Sequence, residues 1–218
     1  MTYWHRISEM SGVPDEVLDT ELSRLQQRLD ELGPLVPEIA RARMAFTAGA
    51  TWKTRGDLVR GRRQMQPVAH QLLRATESLA QQWHVAAHMG DLEMNAGSVA
   101  QAHTWLARRR EIRKQMGRGS SPFAAYDWAL MARNLAMGGQ FDAAREVLRN
   151  APDFGAEAGD RRAGGAYRRL LVEVQAFVDI AQGRYAQAEQ RLTSYDGQLA
   201  PEAANTSDLG VRAMVGEI

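Results

Sequence analysis

His84-x-x-x-His88 is the spacing with the most chemical content in this chain. Two imidazoles four residues apart share one face of a helix and can grip one metal ion. His70 lies fourteen residues upstream on nearly the same face, and His103 follows on the next helix. A zinc centre needs three or four converging ligands, with groups behind them that orient the rings. No Glu stands between the pair as in a metalloprotease motif, and no Glu-x-x-His pair marks a di-iron bundle. No metal or other cofactor is therefore expected; if one binds, its ligands come from His84, His88, His103 and His70. Gly-x-Ser-x-Gly, a phosphate loop and Gly-x-Gly-x-x-Gly are all missing, and there is no cysteine. A catalytic role is not expected.

Charge is the second chemical feature. Arg108-Arg109-Arg110, Arg113, Lys114 and Arg118 form the densest run, and on a helix they cover much of its circumference. Lys53, Arg55, Arg60, Arg62 and Arg63 precede them. Residues 51–118 hold twelve basic groups against five acids, whereas residues 1–50 hold five against eight. Residues 119–195 balance at nine each, and 196–218 hold one against four. A basic middle between acidic ends implies an anionic partner or charge pairing inside the molecule. The aromatics that accompany sequence-specific nucleic-acid contacts are not interleaved here, so nucleic acid is not the expected partner. Ile7 to Leu18 faintly echoes a helix-turn-helix, but its second helix carries Asp15, Glu16, Asp19 and Glu21, which DNA phosphates would repel.

The elements that must carry these residues read as helices. Val17, Leu18, Leu22, Leu25, Leu29 and Leu32 recur at spacings of three and four after Val13-Pro14-Asp15, until Gly33-Pro34 stops the pattern. A second helix is predicted from Val36 to Thr47, ending near Gly49. Residues 49–64, rich in glycine and basic groups, have no clear assignment, and a long helix is predicted from Pro67 to Met89. No alternation argues for a strand, and no apolar run approaches the roughly 20 residues of a membrane span.

Three segments resemble one another: Gly97-x-Val99-x-x-Ala102-x-x-x-Leu106, Gly139-x-Phe141-x-x-Ala144-x-x-x-Leu148 and Gly183-x-Tyr185-x-x-Ala188-x-x-x-Leu192. In each, Gly ends a helix, an apolar residue anchors the next, Ala permits a close crossing and Leu fills the core. Trp128-x-x-Met131-Ala132-x-x-Leu135 supplies the preceding helix in the middle repeat. Trp83-x-x-Ala86-Ala87, followed by a loop from Gly90 to Gly97, supplies it in the first. In the third, a helix from about Tyr167 to Gln182 matches at Ala176. This pattern resembles the tetratricopeptide (TPR) and TPR-like helical repeats over about residues 67–195, with a period longer than the family's usual 34 residues.

The resemblance implies an all-α fold: a right-handed array of antiparallel helix pairs, a TPR-like solenoid with an N-terminal helical cap. Residues 1–66 would pack on the repeats, 67–195 would form three helix pairs, and 196–218 an acidic tail or capping segment. First helices of such arrays line a groove at positions one and five after the first-helix aromatic. That implies His84 and His88, then Ala129 and Arg133, then Glu173 and Phe177. The expected role is a non-catalytic protein- or peptide-binding adaptor, chaperone-like partner or regulatory subunit, with an acidic protein or peptide as partner. A peptide- or ligand-sensing regulator is the first alternative, and a metal-binding protein or metal-dependent enzyme using His84 and His88 the second. With no signal-like N-terminus and no membrane span, a cytoplasmic location is expected, and the oligomeric state is left open.

Overall fold

The computed structural model describes residues 14–117, 122–151 and 161–196. Arg118, the first thirteen residues and the acidic segment after Asp196 lie outside them. The described residues are helical, with no strand among them, and their nine α-helices pack in adjacent pairs. These are α1 (Asp15–Leu32), α2 (Glu38–Thr54), α3 (Leu58–Ala75), α4 (Leu79–Asn95), α5 (Val99–Gln115), α6 (Pro122–Met137), α7 (Phe141–Arg149), α8 (Arg161–Ala181) and α9 (Tyr185–Asp196). A 3-10 turn at Gly33–Leu35 follows α1. The chain forms two compact units, residues 1–112 and 113–218. Residue 66, expected as a domain boundary, lies inside α3.

One helix ending is used four times. Gly56, Gly97, Gly139 and Gly183 all have positive φ, between 72° and 88°. Each donates its N–H to the carbonyl three residues back: Lys53, Met94, Ala136 and Ile180. The next residue donates to the carbonyl five back, as Asp57 to Trp52, Ser98 to Glu93, Gln140 to Leu135 and Arg184 to Asp179. This is the Schellman arrangement, which satisfies carbonyls the helix would otherwise strand and needs a left-handed residue that glycine supplies at low cost. Three of the four turns are those in the repeated segments. The fourth, Gly56-x-Leu58-x-x-Gly61-x-x-x-Met65, extends the pattern upstream with glycine in place of the crossing alanine.

Small buried residues recur around every turn. Seven residues before the glycine stand Gly49, Gly90, Ala132 and Ala176; five after it stand Gly61, Ala102, Ala144 and Ala188. At α2 and α3 the crossing is so close that a Cβ on Gly49 would lie 2.9 Å from the Gly61 carbonyl oxygen. A Cβ on Gly90 would meet the Leu106 side chain of α5 at 3.0 Å. In residues 113–218, Ala132, Ala144, Val174 and Val178 centre one apolar cluster, while Ala176, Ala188 and Leu192 form another.

Three expectations are corrected. The second helix does not stop near Gly49 but runs to Thr54, because Gly49 is a packing contact and not a terminator. The helix predicted from Pro67 to Met89 is two helices. Thr76 adopts extended backbone, its hydroxyl donates to Gln81 Oε1 at 2.7 Å, and the Ser78 hydroxyl caps α4 by accepting from the Gln81 N–H. Pro67, which resembled a helix start, sits within α3. The loop expected from Gly90 to Gly97 is mostly helix. Counting back from the turn glycines therefore puts Ala86, not Trp83, in the place that Trp128 occupies.

Candidate functional site

The first unit contains a cleft of about 340 Å³ lined by Arg43 and Phe46 of α2, Leu72 of α3, Thr76, and Ala80, Gln81, His84 and Val85 of α4. Phe46, Leu72 and Val85 are almost wholly buried and give the cleft an apolar wall. Its polar edge is fixed by a short network: Arg43 donates to Gln81 Oε1 at 3.0 Å, the same oxygen that accepts from Thr76. The Gln82 side-chain amide donates to the Thr76 carbonyl at 2.8 Å, tying the α3–α4 break to α4. Among the described residues no carboxylate lines the cleft.

Next to the cleft, polar side chains cluster around His88. The His84 and His88 rings are 4.3 Å apart, and His88 meets Phe46 edge-on at 6.2 Å. Lys53 reaches across from α2 and pairs with Asp91 at 3.4 Å. Arg109 of α5 is buried with its guanidinium 4.8 Å over the Trp83 ring. Burial, then Lys53, His84 and Arg109, lower the His88 pKa to about 3. Burial and Lys53 lower that of His84 as well. Both imidazoles are thus neutral at physiological pH. His88 Nδ1 is buried and has no hydrogen-bond partner among the described residues.

Of the four candidate metal ligands, the structure brings only His84 and His88 together. His70 on α3 stacks on Trp105 at 5.0 Å, and His103 is exposed on α5. Among the described residues no group of three or more His, Asp or Glu converges to hold a metal ion. Of the groove positions, Arg133 is exposed on α6. Glu173 and Phe177 are half-buried one turn apart on α8, where Phe177 packs on the apolar cluster. Ala129 is fully buried in that cluster, so this expected groove position is core.

The basic run is not an exposed patch throughout. Arg109 and Arg113 are buried and Arg110 is half-buried, leaving Arg108 and Lys114 exposed. Arg113 makes a two-point contact with buried Asp127, Nε to Oδ2 at 2.5 Å and NH2 to Oδ1 at 3.3 Å. Upstream, Arg55 pairs with Asp15, Arg60 with Asp19 at 3.1 Å, and Arg62 with buried Glu93. A helix run that covers much of the circumference must turn some of its charges inward, and here buried Arg109 meets an aromatic ring and buried Arg113 a carboxylate. Part of the basic middle is therefore matched inside the first unit, by the acidic α1 and by α4.

The sequence drew attention to His84 and His88 but not to Phe46, Leu72, Arg43 or Gln81. One signal was available. The rule that selects Ala129, ten residues before Gly139, selects Phe46 when counted from Gly56. No helix of the described residues is long and apolar enough to cross a membrane. The chain matches no family model, no curated protein and no solved structure.

Proposed function

We propose that the chain is a non-catalytic binding module of TPR-like helical repeats, an adaptor or regulatory subunit that takes a peptide or protein segment of acidic character. The observation that carries this reading is the apolar cleft between α2 and α4, with Arg43 at its edge and no carboxylate among the described residues that line it. Fourfold use of one turn and one pair of small residues supports the repeat assignment. Arg133 on α6 is a further exposed cation with no acidic partner among the described residues. The ligand-sensing alternative is favoured by the same cleft, whose volume lies at the small end of ligand pockets. Selection of dodecapeptides on the intact chain, followed by anisotropy titration, tests the proposal. Selected peptides should be acidic, and their Kd should rise about tenfold or more from 50 to 500 mM salt. Arg43→Ala should weaken binding. Selected peptides that are indifferent to salt and to Arg43 would overturn it.

A further inference from the structure

The cleft has one cation and one apolar interior, and their arrangement specifies a ligand chemistry. Arg43 is exposed, has no ion-pair partner among the described residues, and is held in place through Gln81, which Thr76 holds in turn. A guanidinium fixed in this way and still carrying free N–H groups is prepared for a carboxylate, which it can grip at two points. Behind it, Phe46, Leu72 and Val85 line the cleft with carbon alone, each showing no more than 5% of its surface. A volume of about 340 Å³ admits one ring or a branched aliphatic group, not a folded segment. His84 completes the wall as a neutral ring that adds no repelling negative charge.

The geometry points to a site for a carboxylic acid with a compact apolar body, the carboxylate on Arg43 and the body against Phe46, Leu72 and Val85. The inference rests on reading this cleft as the module's binding site and names what enters it. The same chemistry has two sources, a free organic acid or the C-terminal residue of a peptide. Either presents a carboxylate one or two bonds from an apolar group.

The test is a nuclear magnetic resonance titration of the intact, ¹⁵N-labelled chain with 4-methylpentanoate, with phenylacetate, and with Gly-Gly-Leu. The amide of each compound serves as its control. Saturable shifts are expected at residues 43–47 and 76–85, with acids binding about tenfold more tightly than amides, the worth of a charge-assisted hydrogen bond. Arg43→Gln should remove that preference. Ala80→Trp, at an exposed rim position, should block acids and amides alike. Binding of the two free acids alone identifies a small-molecule site, and binding of the tripeptide alone a C-terminus; both support the inference. Equal binding of acids and amides, no effect of Arg43→Gln, or no shift in these two segments would overturn it. An acidic peptide that binds with shifts elsewhere would overturn this inference yet leave the binding-module reading standing.

Discussion

Residues 1–112 and 113–218 are built on the same skeleton of turn glycine and paired small residues, but they fill it differently. In the second unit the helices cross through alanine, and the space around Ala132, Ala144, Val174 and Val178 is apolar. Among its described residues the buried carboxylates are matched: Asp127 by Arg113, and Asp179 by Arg184 at 2.6 Å and Arg191 at 2.7 Å. In the first unit one crossing is glycine on glycine, and the interior holds Lys53, Glu93, His84, His88 and Arg109. Some of that polarity is left unused, as at His88 Nδ1, and an apolar cleft opens beside it. The shared turns and small residues thus fix where helices turn and how closely they cross, while the remaining positions decide whether the space between helices is filled or left as a cleft.

Breaking the second unit's charge matching should have the largest effect. Asp127→Ala removes the two-point carboxylate contact of buried Arg113, which costs on the order of 3–5 kcal/mol. Urea unfolding of this variant should lose the transition of residues 113–218 first. A midpoint unchanged from wild type would mean that the pair is hydrated in solution and that the two interiors are less different than described.

Acid sharpens the contrast from the other side. His88 titrates near 3 in the folded chain and from 6.5 when unfolded, because burial and the neighbouring cations disfavour its charge. The unfolded chain therefore binds the proton first. The stability this group contributes is complete above about pH 6.5 and is lost as pH falls toward 3, with a slope of up to about 1.4 kcal/mol per pH unit. His88→Phe, which keeps a ring against Phe46, should flatten that slope. Equal slopes in wild type and variant across this window would contradict the burial of the imidazole.

A smaller effect separates crossings within the first unit. Gly49→Ala forces a methyl against the Gly61 carbonyl and the Met65 side chain, an overpacking cost of about 1–3 kcal/mol. Gly90→Ala meets the Leu106 side chain, which can yield, so its effect on Tm should be clearly less. The reverse order would show that α2 and α3 do not cross at these glycines.

These crossings also mark what the sequence disclosed. Gly97, Gly139 and Gly183 were legible as turns, because each is followed at fixed offsets by an apolar residue, Ala and Leu. Gly56 was hidden since its crossing residue is Gly61, and glycine within a basic stretch reads as loop. The break at Thr76–Ser78 escaped because it contains neither glycine nor proline and is fixed by side-chain hydrogen bonds. His84 and His88 are neighbours by helical spacing alone. Arg43, Phe46 and Leu72 reach them only through the packing of three helices, which no local pattern encodes. Charge totals likewise left open whether the basic middle faced outward, and the pairs of Arg55, Arg60 and Arg62 with acids up to 41 residues away account for part of it.

The central claim is that binding occurs at the cleft between α2 and α4. The chain has no cysteine, so single cysteines can carry an environment-sensitive dye without background labelling. Ala80→Cys places the dye at the cleft rim, and Arg149→Cys places it on an exposed position of α7 in the second unit. Titration with a selected acidic peptide should change emission at position 80, saturating with the Kd found by anisotropy, and leave position 149 unchanged. A saturating change at 149 with none at 80 would contradict the account and move the binding surface to the second unit.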